Sequence, residues 1–280
     1  MFANLALARR IDGAEASLSS DIADCIIRRG SVPGAFNREF AGGVAVCGGP
    51  TSPITKIIGA GFSEVPGDES FDDLEAQYFR VGASARAEVA TLADPAFAQR
   101  LTGRGYILNG FENVLALPIE PVMRGTPRVP VGVTIEQASD QRSFMDVMID
   151  GFESPDTGVV SAPGEQFPRA ELERTFEDMA GARGFVRYVA VLDGEVAGGA
   201  TMRLFEGIAQ LCGAATRPRF RRRGLQTAML DLRLREAAAA GCDVAVLTTE
   251  PGSKSQENGQ RAGFALLYSR AVLLKRPPVC

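Results

Sequence analysis

The hydrophobic pattern of the C-terminal half changes period several times, and each change marks an element. VGVTIEQAS, residues 131–139, alternates at a period of two and predicts a strand, and Asp140 is placed to cap a helix running to about Phe152. A polar stretch with glycine and proline follows, and Pro168 to Ala182 predicts a second helix. Residues 185–216 then predict three strands divided by the turns Asp193-Gly194 and Glu206-Gly207, an antiparallel meander. From Leu225 to Ala240 the apolar positions Leu225, Ala228, Met229, Leu232 and Ala239 fall on one helical stripe that Gly241 ends. A buried strand (DVAVLTT), a short helix from Ser253 to Ala262 and a long strand from Phe264 to Lys275 close the chain.

The N-terminal half has nearly the same order. Helices between Gly13 and Arg29 precede strands around Gly43 to Cys47 and Ile54 to Gly61, and a helix from Phe71 to Arg80 follows. A strand at Ala85 to Ala90, a helix at Pro95 to Gly103 and a strand at Tyr106 to Leu117 complete it, with Gly105-Tyr106 standing opposite Gly263-Phe264 of the second half. This is an internal repeat, two copies of one fold. Between the copies, LPIEPVMRGTPRVP carries Pro118, Pro121, Pro127 and Pro130 and no periodicity. The predicted organisation is a domain over 1–120, a Pro-rich linker over 121–130 and a domain over 131–280.

Composition agrees with two folded domains. The 280 residues suit two cores of roughly 130 to 150 residues each, and 45% hydrophobic with 23% charged residues is near the globular norm. No apolar run approaches the ~20 residues of a membrane span, and MFANLALARR lacks the core and cleavage site of a signal peptide, so no membrane partner and a cytoplasmic location are expected. Cys25, Cys47, Cys212, Cys242 and Cys280 are odd in number and scattered, which predicts reduced packing thiols rather than disulfides or a zinc site. The absence of histidine removes every Ser-His or Cys-His dyad and the commonest metal ligand, and no metal is expected. A net charge of −4 gives no general attraction to nucleic acid, which is not expected as a partner.

The chemistry concentrates in residues 213–228, GAATRPRFRRRGLQTA, where a strand runs into a basic turn that opens a helix. The first N–H groups of a helix lack internal partners and carry the positive end of its dipole, so a pyrophosphate can accept several hydrogen bonds there. Gly224 allows a close backbone approach, and Arg221, Arg222 and Arg223 add charge. The competing readings are a solvated cationic face formed with Arg217 and Arg219, and a nucleic-acid patch. Neither explains a basic run set between a strand and a helix start with Gly224 inside it.

These residues resemble the GNAT N-acetyltransferase superfamily. Its pyrophosphate motif, Arg/Gln-x-x-Gly-x-Gly/Ala, is matched by Arg221, Arg222, Arg223, Gly224 and Leu225, with Gln226 where Gly or Ala is usual, and Arg261 to Phe264 is similar to the end of the family's last helix. The resemblance covers roughly 131–275 and extends to the first half by element order. It implies an α+β fold of two tandem GNAT-like domains, each a twisted, mostly antiparallel mixed sheet flanked by helices. It also implies acetyl-CoA as cosubstrate, with Ala214, Ala215 and Thr216 pairing with pantetheine, Arg221 to Gln226 holding the pyrophosphate, and an amine attacking the thioester directly. Ser253 and Asn258 are further expected cofactor contacts. The family's Tyr, a general acid for the thiolate, is Gly259 here, and its partner Asn is Ser253.

The remaining candidates carry two readings each. Glu250 is a base for an ammonium nucleophile or a turn-capping carboxylate, and Tyr268 is a donor to the thiolate or a core aromatic. The N-terminal counterpart of the basic loop, residues 61–75, carries Glu64, Asp68, Glu69, Asp72, Asp73 and Glu75 and no arginine. Carboxylates at a helix start repel phosphate, so this copy is expected to be degenerate. The acidic stretch either attracts a cationic amine or is a solvated capping segment. The expected activity is N-acetyl transfer to a primary amine, the alternative is a non-catalytic acyl-CoA sensor, and an exposed sheet edge is compatible with a homodimer.

Overall fold

The computed structural model describes residues 1–120, 129–154 and 169–278, so most of the expected linker, the polar stretch before the second helix of the C-terminal half, and Cys280 lie outside the described residues. The chain opens with α1 (Leu5–Arg29), which Asn4 caps by accepting from the Leu7 N–H at 2.9 Å. It is one helix that begins eight residues before the helices expected between Gly13 and Arg29, and Gly13 within it faces open space and costs only propensity. Next come β1 (Phe36–Phe40), β2 (Gly43–Cys47), β3 (Lys56–Ile58), α2 (Asp68–Arg80), β4 (Ala85–Ala90), α3 (Pro95–Gly103) and β5 (Ile107–Pro118). Sequence periodicity missed β1, whose Asn37-Arg38-Glu39 has no alternation. Its register comes from a two-residue turn, Ala41-Gly42, with both φ values positive.

The second half contributes β6 (Val133–Gln137), α4 (Gln141–Phe152), α5 (Arg169–Met179), β7 (Phe185–Leu192), β8 (Glu195–Phe205) and β9 (Ile208–Thr216). It ends with α6 (Leu225–Ala239), β10 (Val244–Thr249), α7 (Lys254–Arg261) and β11 (Ala265–Lys275). The turns Asp193-Gly194 and Glu206-Gly207 have positive φ at both residues, and Asp140 caps α4, all as their residue types require. The stripe of α6 differs from expectation in two places. Ala239 is exposed, and Arg233 lies on the buried face.

The chain forms two compact units that do not follow its linear halves. The N-terminal unit comprises Phe2–Val114, Glu165–Ala182 and Leu267–Cys280, and its strand order is β1-β2-β3-β4-β11-β5. The C-terminal unit comprises Leu115–Gly164 and Arg183–Leu266, with Met1, and its order is β5-β10-β9-β8-β7-β6. Each is a mixed, mostly antiparallel sheet flanked by helices. In the C-terminal unit a Cβ on Gly199 would meet Met148 of α4, and one on its neighbour Gly198 would meet Met229 of α6, so the two helices cover opposite faces. The α6 face buries Tyr188, Met202, Ala237, Ala245 and Phe264.

The last strand of the sequence belongs to the N-terminal unit. β11 pairs antiparallel with β4, from Arg270↔Ala90 to Lys275↔Ala85. There it brings Arg270 into a buried charge cluster. Arg270 meets Asp12 at 2.6 Å and Glu112 at 3.7 Å, Lys56 meets Glu88 at 3.0 Å, and Arg86 meets Glu88 at 3.1 Å and Glu112 at 3.5 Å. Burial, with the negative charge of Glu88 beside it, pushes the Glu112 carboxyl up to about 7, while Lys56, Arg86 and Arg270 hold Glu88 down against its own burial.

A raised carboxyl binds its proton more tightly in the folded chain than in the unfolded one, so this group's contribution to stability shrinks as pH rises through the window from 4.5 to about 7. A Glu112→Gln variant should therefore gain on the wild type in urea midpoint between about pH 5 and about pH 8. Parallel midpoint curves would show that Glu112 titrates alike in both states.

Candidate functional site

β9 and β10 start side by side and then part. They pair in parallel only at Val244↔Ile208, Ala245↔Ala209 and Val246↔Gln210, while β9 continues to Thr216 and β10 to Thr249. The cause is on the other edge of β9. There Arg203 faces Gln210 and Thr201 faces Gly213, so Leu211 and Cys212 together stand opposite the single residue Met202. Such a bulge bends and twists the strand that carries it, and this one begins where pairing with β10 stops. The edge of β9 toward β10 is consequently open at Ala214, Ala215 and Thr216, whose other edge pairs with Ala200, Gly199 and Gly198 of β8. Two buried hydroxyls, Thr216 Oγ1 and Thr249 Oγ1, sit at the ends of the parted strands without a hydrogen-bond partner.

The basic turn closes this wedge. After a short 3-10 turn at Pro218–Phe220, Arg222 and Gly224 both take left-handed backbone angles, φ 61° and 77°. Alternation of this kind is the backbone pattern of a nest, in which successive N–H groups turn toward one point. No side chain caps α6, and Ala228 is the residue whose N–H closes the first turn, on Gly224 O at 3.0 Å. Leu225 is buried beneath the turn and anchors the helix start, while Gln226 is exposed. Burial of Leu225 holds the uncapped end in place.

The arginines divide by role. Arg221 turns inward: its guanidinium donates to Thr216 O at 3.2 Å, to Gly151 O at 3.3 Å and to Ser154 O, tying the turn to β9 and to the end of α4. Arg217 is paired with Asp150 at 2.9 Å and donates to Val196 O, and Arg219 is paired with Glu195. Arg222 and Arg223 are exposed, the latter over the Phe220 ring at 5.6 Å. The run is therefore not a uniform solvated face, since three of its five members are held by protein acceptors. Arg222 and Arg223 stand at the nest with charge facing solvent.

The other expected site residues fall in two places. Ser253 caps α7, accepting from the Gln256 N–H at 3.2 Å. Asn258, one turn on, donates to Gln226 at 3.4 Å and so joins α7 to the start of α6. Gly259 is buried, and a Cβ there would come within 3.2 Å of Leu247, which occupies the space a larger side chain would need. Glu250 follows the end of β10 and is exposed, with its carbonyl accepting from the Ser253 N–H at 3.2 Å. Tyr268 belongs to the N-terminal unit, where its hydroxyl donates to Asp12 at 2.7 Å and burial pushes its pKa up. Sequence reasoning missed the bulge and the two orphan threonine hydroxyls. The small-residue run Gly213-Ala214-Ala215 after an apolar strand was the available signal.

The equivalent place in the N-terminal unit is filled. β3 and β4 are its parallel pair, joined at Ile57↔Ala87. Beyond them the main chain bridges the gap: Asp94 N donates to Gly61 O at 2.8 Å, and a Cβ on Gly61 would strike the Phe97 ring at 2.8 Å. The acidic start of α2 is also occupied, because Arg100 and Arg104 pair with Asp68 while Arg104 and Lys275 pair with Glu75. Among the described residues, two carboxylates of the acidic stretch, Asp68 and Glu75, are thus engaged by cations of the same unit.

Comparison with known proteins agrees with this geometry. Residues 152–265, which contain the bulged strand, the nest and the helix it opens, match the model of the acetyltransferase (GNAT) family. No curated protein matches the chain by sequence. Among solved structures, a GCN5-related N-acetyltransferase from Kribbella flavida is 17% identical, with 94% of this chain and 96% of that one covered and a TM-score of 0.62. A tandem GNAT protein from the clavulanic acid biosynthesis pathway is 15% identical over 89% of this chain and 85% of that one, with a TM-score of 0.60. At such identities the likeness concerns the fold, which both units share with these proteins. Residues 152–265 thus match the acetyltransferase (GNAT) family model within a chain of tandem GNAT-like fold.

Proposed function

We propose that the C-terminal half, residues 131–280, is an acetyl-CoA-dependent N-acetyltransferase acting on a primary amine, and that residues 1–120 form a degenerate copy joined by the segment 121–130. The observation that carries this reading is the open edge of β9 ending directly at an uncapped, arginine-flanked helix start. In this reading the N–H groups from Arg222 to Gln226 donate to the pyrophosphate, and Arg222 and Arg223 supply charge beside it. Main-chain groups of Ala214, Ala215 and Thr216 pair with the pantetheine arm, which needs acceptors and donors along one strand edge. The unpartnered Thr216 and Thr249 hydroxyls fit a polar ligand in the same slot. Ser253, Asn258 and Gln226 line the side formed by α7.

In this reading Glu250, exposed at the end of β10, takes the proton of an ammonium group directly or through water. The amine nitrogen then bonds to the thioester carbonyl carbon, the C–S bond breaks, and CoA leaves as its thiolate, which takes up the proton that the amide nitrogen gives up, directly or through water. No covalent enzyme intermediate is required. Tyr268, committed to Asp12, has no part in this scheme. Gly259 stands where the family has its usual acid, with Leu247 packed against it, which favours as second reading a non-catalytic acyl-CoA sensor.

Titration calorimetry with acetyl-CoA, followed by a thiol-release assay over a panel of amines, tests both. Micromolar binding, about −8 kcal/mol, with CoA release on one amine class is the expected result. Binding without release on any amine favours the sensor, and no binding removes the acetyl-CoA reading altogether.

A further inference from the structure

A bulged strand that parts from its neighbour has lost ladder hydrogen bonds, and some other contact must hold its direction. Arg233 of α6 supplies one. It is 4% exposed, and its Nη1 donates to Thr201 O at 2.9 Å and to Gly213 O at 3.4 Å, while Nε donates to Met229 O at 3.2 Å. Thr201 and Gly213 are register partners, the first pair beyond the bulge. One guanidinium nitrogen thus bridges both strands of the ladder at the point where β9 bends away from β10.

The cost of placing Arg233 here argues that it has a task. All its acceptors are main-chain carbonyls, with no carboxylate among them, and burial pulls its pKa down to about 10. An interior cation without a counter-ion is expensive, and the position lies on the apolar stripe of α6, where a leucine or methionine would pack without that expense. A local rule broken inside an otherwise regular helix is the usual mark of a residue kept for what it positions.

We propose that Arg233 is a positioning residue for the pantetheine arm: by bridging the Thr201 and Gly213 carbonyls it fixes the bulge and holds the open edge of β9 at Ala214 to Thr216 away from β10. This rests on the acetyl-CoA reading of the same site. Arg233 does not touch the pyrophosphate nest, whose geometry comes from Arg222, Gly224 and Leu225. Without the bridge β9 relaxes toward β10 and the slot narrows, while the nest at the start of α6 stays formed.

Two probes separate these effects: CoA, and 3′-phosphoadenosine 5′-diphosphate, which carries the pyrophosphate but lacks pantetheine. Calorimetry on the wild type, Arg233→Met and Arg233→Lys reads both affinities. Arg233→Met should weaken CoA about tenfold or more and the nucleotide less than about twofold, and Arg233→Lys, able to reach one carbonyl, should lie between. If Arg233→Met does not fold, the CoA-to-nucleotide ratio of Arg233→Lys decides alone. Equal weakening of both probes, or no change in either, overturns the proposal. A wild type that binds neither probe overturns the acetyl-CoA reading instead, which is a different result from a wild type that binds both and variants that lose both equally.

Discussion

An Arg222→Glu, Gly224→Asp double variant is expected to bind acetyl-CoA about 100-fold more weakly than the wild type, a loss of about 3 kcal/mol. The first change reverses a charge beside the nest, and the second puts a carboxylate at the N-cap of α6. From there an aspartate can accept from the first-turn N–H groups that the pyrophosphate would otherwise use. Gly224 has φ 77°, and a Cβ on it would come within 3.3 Å of Pro130, so the substitution also strains the turn. That strain should cost about 1 to 2 kcal/mol of stability, small enough to leave the chain folded. Calorimetry for affinity and a urea midpoint for stability keep the two effects apart. Binding within about threefold of wild type, with a normal midpoint, would show that this turn does not hold the phosphates.

The largest stability effect should come from the N-terminal unit. Asp12 and Arg270 are each 1% exposed, and the pair is closed by hydrogen bonds from Arg270 Nη2 at 2.6 Å, Arg270 Nε at 3.1 Å and the Tyr268 hydroxyl at 2.7 Å. Asp12→Ala removes the anion and leaves a buried guanidinium with Glu112 at 3.7 Å and the more general field of Glu15 in its place. Breaking a buried pair in this way costs about 3 to 5 kcal/mol, a large part of the roughly 5 to 15 kcal/mol that holds an ordinary domain together. Replacing both partners, Asp12→Leu with Arg270→Met, should recover most of the loss, because desolvation of the charges disappears with them. A fall of less than about 1 kcal/mol for Asp12→Ala alone would mean that Arg270 finds other acceptors once Asp12 is gone.

Much of the C-terminal site was legible in the sequence because it is local. A helix start, a glycine with a left-handed backbone and flanking arginines are contiguous in residues 217–228, and turn chemistry predicted the meander before it. What sequence could not convey was the direction in which each arginine points. Arg221 reads as a phosphate ligand by motif, yet its guanidinium is spent on the carbonyls of Thr216, Gly151 and Ser154. Nor does periodicity reveal a bulge, which needs the partner strand to be counted against.

β1 escaped for a related reason: Asn37, Arg38 and Glu39 follow no alternation, and only the turn into β2 sets their register. Two copies were visible by element order. That the last strand serves the first unit was not, since β11 has the same apolar pattern whichever sheet it joins. The ion pairs of Asp12 with Arg270 and of Glu75 with Lys275 span 258 and 200 residues, beyond the reach of any local pattern.

The pairing of Arg270 with Ala90 also sets a schedule for synthesis. β4 leaves the ribosome 180 residues before its partner β11 does, and at about 5 to 20 residues per second that interval is roughly 9 to 36 seconds. Throughout it the nascent N-terminal unit has an open edge where β11 belongs and an Asp12 without its cation. The first unit to be translated is therefore the one that must wait. Its open strand edge is the part of the nascent chain that stays exposed until the C-terminal strand is made.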